Sequence, residues 1–299
     1  MDDLKIIVTG GGGGLAADLI PRLTHEGHTV SAFTSTELDI TGRERVMEAF
    51  ASVRPDLIYN LAAYTKVDRA EVEAERAFKV NSEGAANVAD AAAISGAPLV
   101  HISTDFVFSG LNPLPYTEDD ETGPLSVYGE SKLAGEIEIK KILGDHLIVR
   151  SSWLYGGGES GVNFVKTILR LATENEELKV VSDQVGSPTW TGDLAGFLVE
   201  IAKRRWDGSM PYGTFHYAGS GVASWYDLAV AAVTEASALG KEFKCKTIEP
   251  ISTAEYPTDA ERPPYSVLCT KKARDEFGID IPHWRVSLRE MLKEFYSSS

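Results

Sequence analysis

Apolar positions along this chain follow two alternating rhythms. Residues 4–9, LKIIVT, form a continuous apolar and largely β-branched run, the pattern of a parallel strand covered on both faces. After five glycines, Leu15, Ala16, Leu19, Ile20 and Leu23 recur at helical spacing. The alternation repeats, predicting strands at 28–33, 56–63, 97–104 and 146–153 and helices at 43–53, 69–95 and about 127–143. Such alternation builds a doubly wound parallel α/β sheet with right-handed crossovers. Beyond residue 155 the rhythm loosens into predicted helices at 163–174, 190–205, 224–240 and 283–296 and a strand at 212–219. The division expected is a sheet domain over 1–155 and a smaller mixed α/β lobe over 156–299, with some of the lobe's segments returning to the first domain.

Composition narrows the classes without choosing one. With 43% hydrophobic residues the 299-residue chain can bury a core without staples. No run is long and apolar enough for a membrane span and no leader precedes the first strand, so a soluble cytoplasmic protein with no membrane partner is expected. Cys245 and Cys269 lie outside any CxxC or Cys/His cluster and the six histidines are scattered. Inert thiols and no structural metal site follow. A net charge of −15 argues against nucleic acid as a partner. It leaves room for a small phosphorylated ligand, because a helix N-terminus can bind one inside an acidic protein.

The glycines Gly10 to Gly14 join a buried strand directly to an amphipathic helix and leave no slack for a linker. Two registers fit a dinucleotide fingerprint, Gly10-x-x-Gly13-x-x-Ala16 and Gly11-x-Gly13-x-x-Ala16. In a doubly wound sheet that turn sits where a cofactor diphosphate lies. Residues 1–155 then read as a dinucleotide-binding Rossmann domain and 156–299 as mainly a substrate-binding lobe. The second strand ends at Thr34-Ser35-Thr36, with no evident carboxylate to grip a ribose 2′-hydroxyl and no arginine for a 2′-phosphate. Use of both NADPH and NADH is expected, with a mild preference for NADPH.

Tyr128 and Lys132, in YGESK, are four apart on a predicted helix and share a face. A phenol with an ordinary pKa near 10 becomes a useful proton carrier when a cation stabilises its phenolate. The strand ending at Ser103-Thr104-Asp105 offers a hydroxyl at the sheet's carboxyl edge that can hold a carbonyl oxygen.

Together, the strand–glycine turn–helix, the hydroxyl after the fourth strand and YxxxK resemble the extended short-chain dehydrogenase/reductase superfamily. Within it, the runs RPDLIYNLAAYTKVDRAE (54–71), HISTDFVFSG (101–110), YGESKLAGE (128–136), IVRSSWLYG (148–156), NFVKT (163–167), DQVGSPT (183–189) and RPPYSVL (262–268) are similar to the dTDP-4-dehydrorhamnose reductase family, nearly end to end. Gly14 and Ala16 replace commoner family residues, and Phe106 stands where the family usually has Tyr. The resemblance implies reduction by NADPH or NADH of the C4 keto group of a nucleotide sugar, dTDP-4-dehydro-L-rhamnose. It implies Tyr128 as proton donor, Lys132 as the group that lowers the Tyr128 pKa and binds the nicotinamide ribose, and Thr104 as partner of the carbonyl oxygen.

Cofactor contacts are implied at Gly10, Gly13, Gly14, Leu15, Asp39, Ile40, Ala62, Ala63, Tyr64 and Thr65, though strand-end residues such as Ala62 and Ala63 can equally be packing positions. Substrate contacts are implied at Val67, Asp105, Trp153 and Arg262. Trp153 can equally be core, and Arg262 can equally cap a turn. Some family members bind a divalent ion such as Mg2+ at a dimer contact, so a homodimer is an assembly the resemblance allows, with no residue here assigned to the ion. Other readings on the same scaffold are another sugar-nucleotide reductase or epimerase. A dehydratase is disfavoured, because Thr104-Asp105 is followed by Phe106 in place of an acid. A non-catalytic NADP-binding subunit resembling that of methionine adenosyltransferase is a further alternative, which the intact Thr104, Tyr128 and Lys132 disfavour.

Overall fold

The computed structural model describes residues 3–158 and 163–297. Five strands, β1 (Lys5–Thr9), β2 (Thr29–Phe33), β3 (Leu57–Asn60), β4 (Leu99–Thr104) and β5 (His146–Ser151), join a sixth, Gly213–His216, in one sheet. All pairings in it are parallel, and the order runs β2, β1, β3, β4, β5 and then Gly213–His216. The order reverses between β1 and β3, the switch point where ligands bind in open α/β sheets.

The apolar run of β1 serves two cores at once. Ile6 and Val8 pack with Leu15, Leu19 and Leu198 on one face, and Ile7 packs with Val46, Phe50 and Val88 on the other. Ile6, Ile7 and Val8 are all fully buried, and burial of such side chains stabilises by about 1.5–3 kcal/mol each. Helix α1 (Gly14–His25) covers the first face together with Thr191–Asp207, and α2 (Arg43–Val53) covers the second together with Ala85–Ser95.

Where the chain departs from the expected elements, local partners explain it. The helix expected over 69–95 is interrupted: it runs as Val67–Ala70, Ala74–Phe78, a wider π turn at Lys79–Gly84, and Ala85–Ser95. Glu73 stands at the break, where its carboxylate accepts from the Tyr64 hydroxyl at 2.9 Å and pairs with Arg69 and Arg76. Strands Glu177–Val181 and Thr247–Ile251 form a parallel pair that the sequence reading missed, as it did the helix Lys271–Phe277. Helices Phe164–Glu174 and Trp225–Ala238 flank that pair. No described helix is long and apolar enough to cross a membrane.

Candidate active site

The glycine loop leaves β1 beside the switch point. Gly10 has φ +70°, and a Cβ there would lie 2.7 Å from the Ala62 backbone nitrogen, so the exit of β3 can touch the loop only at a glycine. Gly11 donates its amide to the Phe33 carbonyl at 2.8 Å, tying the loop to β2. Helix α1 starts with no side-chain cap and no acid in its first turn, which leaves its leading amides and positive dipole end for an anion. The Leu15 side chain is core, so only its backbone faces that end. Gly157 comes from far along the chain: it has φ +73°, and a Cβ on it would lie 2.5 Å from Gly14 Cα. Nothing in the fingerprint itself signals that neighbour.

The other expected cofactor positions differ in exposure. Ile40 and Tyr64 are buried, Ala62 and Ala63 half-buried, and Asp39 and Thr65 exposed. Asn81, which the sequence reading passed over, clamps the chain after β3. Its Oδ1 accepts from the Tyr64 amide at 2.8 Å, and its Nδ2 donates to the Tyr64 carbonyl at 3.1 Å and to Ser131 Oγ at 2.9 Å. One expectation is corrected at the end of β2. A carboxylate is present there after all, because Glu37 folds back to accept from the Thr34 amide at 2.8 Å and the Thr34 hydroxyl at 2.7 Å. Those two bonds hold Glu37 below the ordinary carboxylate value.

Thr104, Asp105, Tyr128 and Lys132 converge at the end of β4 and the start of the helix Val127–Ile142. That helix is capped by Ser126, whose hydroxyl accepts from the Gly129 amide. Thr104 Oγ1 accepts from the Phe106 amide and donates to Asp105 Oδ1, both at 3.2 Å, and it lies near enough to Tyr128 to act on its hydroxyl. Phe106 meets the Tyr128 ring edge-on at 5.6 Å. Tyr128 is half-buried, and burial of its hydroxyl pushes it up to about 12, with Thr104 opposing and the Asp105 charge adding.

The expected lowering of Tyr128 by Lys132 is not found: burial sets the direction, and the groups acting on the hydroxyl are Thr104 and Asp105. Lys132 is itself buried, and its Nζ donates to the Ile102 carbonyl at 2.7 Å and faces His101 Nε2 at 3.2 Å. Burial lowers it to about 8, the nearby Glu136 carboxylate opposing. Burial likewise raises Asp105 to about 6, with Ser266 and Thr104 opposing, and its Oδ2 is buried with no hydrogen-bond partner among the described residues.

The remaining substrate positions lie in two further groups. Val67 opens a short helix, and Asp68 next to it pairs with Arg262 at 2.9 Å across 194 positions, bringing 67 and 262 near each other. Trp153 holds φ +49°, rare for a bulky residue, and stacks on Trp225 at 3.6 Å with Gly186 against its ring. No group of three or more His, Cys, Asp or Glu among the described residues comes together as a metal site.

A parallel sheet with a glycine turn at its switch point, and a Thr, Tyr and Lys set at the neighbouring strand end, defines an oxidoreductase of the extended short-chain dehydrogenase/reductase superfamily. The family described as RmlD substrate binding domain matches residues 4–297. The chain is 42% identical over 290 residues to the spore coat polysaccharide biosynthesis protein SpsK of Bacillus subtilis, covering 97% of each. It is 40% identical over 289 residues to the dTDP-4-dehydrorhamnose reductase of Aggregatibacter actinomycetemcomitans, covering 96% of this chain and 98% of that one. The structure of the Bacillus anthracis dTDP-4-dehydrorhamnose reductase in complex with NADP superposes with a TM-score of 0.89 at 38% identity, covering all of both chains. The chain belongs to the dTDP-4-dehydrorhamnose reductase family.

Proposed function

We propose that the chain reduces the C4 keto group of dTDP-4-dehydro-L-rhamnose with a nicotinamide cofactor, giving dTDP-L-rhamnose. The observation that carries this is the convergence of Thr104, a neutral Tyr128 and the buried Lys132 at the end of β4. The cofactor fits the residues present. The uncapped start of α1, reached through Gly10, Gly13 and Gly14, offers amides for a diphosphate, while Ile40 and residues 62–65 border it. Lys132 would hold the nicotinamide ribose. When bound, a reduced nicotinamide supplies the hydride.

The side chains do the rest. Thr104 orients the carbonyl oxygen, and Tyr128 donates its proton to that oxygen as negative charge develops on it, which is general acid catalysis. The buried, unpartnered Asp105 Oδ2 is an acceptor for a sugar hydroxyl. Arg262 is read as the cation for the substrate diphosphate, exchanging Asp68 for it, and Val67 and Trp153 as walls for the sugar. The segments after residue 155 act mainly as the substrate lobe in this reading. Loss of nicotinamide absorbance on mixing the chain with dTDP-4-dehydro-L-rhamnose and NADPH or NADH tests it. Oxidised cofactor and a rhamnosyl product in equal amounts support it, whereas epimerisation without net cofactor consumption would falsify it.

Glu37 bears on which cofactor is preferred. An ionised carboxylate at the end of β2 would accept from a ribose hydroxyl and repel a 2′-phosphate, so Glu37 opposes the mild preference for NADPH expected from Thr34-Ser35-Thr36. Glu37→Gln keeps an oxygen for Thr34 and removes the charge. The KM for NADPH should fall by about 5- to 10-fold, on the order of 1 kcal/mol for a removed like charge, while the KM for NADH changes less than about twofold. Equal effects on both cofactors would remove Glu37 from the site.

A further inference from the structure

A buried row of polar groups runs beneath Lys132 and takes no part in the steps above. Thr9, Asn60 and His101 lie on the neighbouring strands β1, β3 and β4, and all three are buried. Thr9 Oγ1 donates to Asn60 Oδ1 at 2.6 Å, Asn60 Nδ2 faces His101 Nδ1 at 3.0 Å, and His101 Nε2 faces Lys132 Nζ at 3.2 Å. Buried polar groups of this kind are costly unless every one is satisfied.

A neutral imidazole has one N–H and one lone pair, yet here its two nitrogens face two nitrogen groups. Both neighbours cannot donate to it at once. With Lys132 an ammonium, Nε2 must accept, Nδ1 must carry the hydrogen, and Asn60 must turn its oxygen toward Nδ1 and its nitrogen toward Thr9. Amide oxygen and nitrogen are told apart only by such partners. With Lys132 a neutral amine, Nε2–H donates to it and Asn60 keeps its nitrogen on Nδ1. Passing from the first arrangement to the second releases one proton from Nζ, moves the ring hydrogen from Nδ1 to Nε2 and rotates the amide.

We propose that His101 is a positioning residue for Lys132, its Nε2 lone pair holding the ammonium in place with Asn60 and Thr9 fixing the ring behind it. The proposal rests on the reductase reading of the site for its effect on turnover, and on the hydrogen-bond geometry alone for the arrangement itself. Burial, and then the charge on Lys132, keep His101 well below the usual histidine range, so the ring is neutral while the lysine titrates. The charged and titratable groups near this pair are Glu136 one turn along the same helix, held by Arg150 of β5, together with Asp105 and Tyr128. Of these, Glu136 acts on Lys132 and favours its ammonium. Removing the Nε2 acceptor leaves the ammonium desolvated with one partner fewer, so deprotonation moves to lower pH.

The test combines pH profiles of kcat for the wild-type chain, His101→Leu and His101→Gln with histidine nitrogen resonances of the wild-type chain recorded without substrate. The alkaline limb should move down by about one pH unit in His101→Leu, a tenfold change in proton affinity for a lost bond to a charged group. His101→Gln keeps a carbonyl oxygen for Nζ and should hold the limb near its wild-type position. In the wild-type chain at pH 7 the His101 Nε2 resonance should report an unprotonated nitrogen and change at the pH of the alkaline limb. An unmoved limb in folded His101→Leu, or a protonated Nε2 at pH 7, overturns the proposal. If His101→Leu does not fold, the nitrogen resonances decide alone. A wild-type chain with no turnover at any pH refutes the reductase reading, and the resonances still decide the role of His101.

Discussion

Tyr128→Phe lowers kcat for the reduction by about 10²- to 10⁴-fold, the usual worth of a positioned general acid, with little change in KM or in melting temperature. The substitution removes one oxygen and no packing. The ring keeps its edge contact with Phe106, and Thr104 keeps the Phe106 amide and Asp105 Oδ1 as partners. The pH profile follows from the same surroundings. Burial pushes Tyr128 up to about 12, so the phenol stays ready to donate across the working range and contributes no limb below that. The alkaline limb belongs to Lys132, which burial lowers to about 8 and whose ammonium is lost above it.

The acid limb belongs to Asp105, raised by burial to about 6; below that pH its Oδ2 gains a proton and no longer accepts freely from a sugar hydroxyl. A Tyr128→Phe variant with kcat within tenfold of wild type would remove Tyr128 from the proton transfer, even if the chain proves to be a reductase.

Glu136→Gln destabilises the fold by about 3–5 kcal/mol, the range for breaking a buried ion pair from one side. The Glu136 and Arg150 side chains are 0% and 3% exposed and meet at 2.7 Å through Oε2, with Arg150 Nε and Ser103 Oγ donating to Oε1 at 2.9 and 2.5 Å. Glutamine has nearly the same shape, but it leaves the guanidinium uncompensated and turns an amide N–H₂ toward donors. The replacement of both partners, Glu136→Met with Arg150→Met, should recover much of the loss, because it removes the uncompensated charge instead of stranding it.

The pH dependence has a definite sign. Burial alone would raise Glu136, yet the Arg150 bond and charge, Ser103 and Lys140 outweigh it and leave its folded value lowered. A lowered carboxylate contributes stability that is complete above its unfolded value, about 4.3, and is lost as pH falls through the folded value. Urea unfolding midpoints of the variant and the wild type should therefore be far apart at pH 7 and converge in acid. A loss below about 1 kcal/mol at pH 7 would class this pair with surface ion pairs, despite its burial.

Much of the architecture is legible in the chain because its strands are short, apolar and regularly spaced. LKIIVT reads as a strand covered on both faces because every one of its central residues meets a helix. The stretch 69–95 misleads for the opposite reason. Its apolar positions fit helical spacing locally, while the break follows side-chain contacts that this spacing does not show, Tyr64 with Glu73 and Asn81 with Ser131. The pair Glu177–Val181 and Thr247–Ile251 escapes notice because each strand is short and half-exposed, and its partner strand lies far along the chain.

Within the site, Tyr128, Lys132 and Thr104 stand out through spacing and position at a strand end. His101, Asn60 and Asn81 carry no such mark, since a buried polar residue in an apolar strand shows its purpose only once its partners are known. Glu37 lies four residues beyond the strand end, and its return to Thr34 depends on turn geometry that composition does not reveal.

The π turn at Lys79–Gly84 has a consequence for how this segment can change. It carries one residue more than an α turn, so the helix that follows is rotated by about 100° relative to a continuous α-helix. Deleting a single residue there would give a smoother helix with better internal bonding, and it would swing Asn81 away from Tyr64 and Ser131 while turning Val88 and Ala92 off the sheet. Insertions and deletions at this turn are thus constrained as tightly as substitutions in the core, and the irregular helix is the one compatible with the cleft.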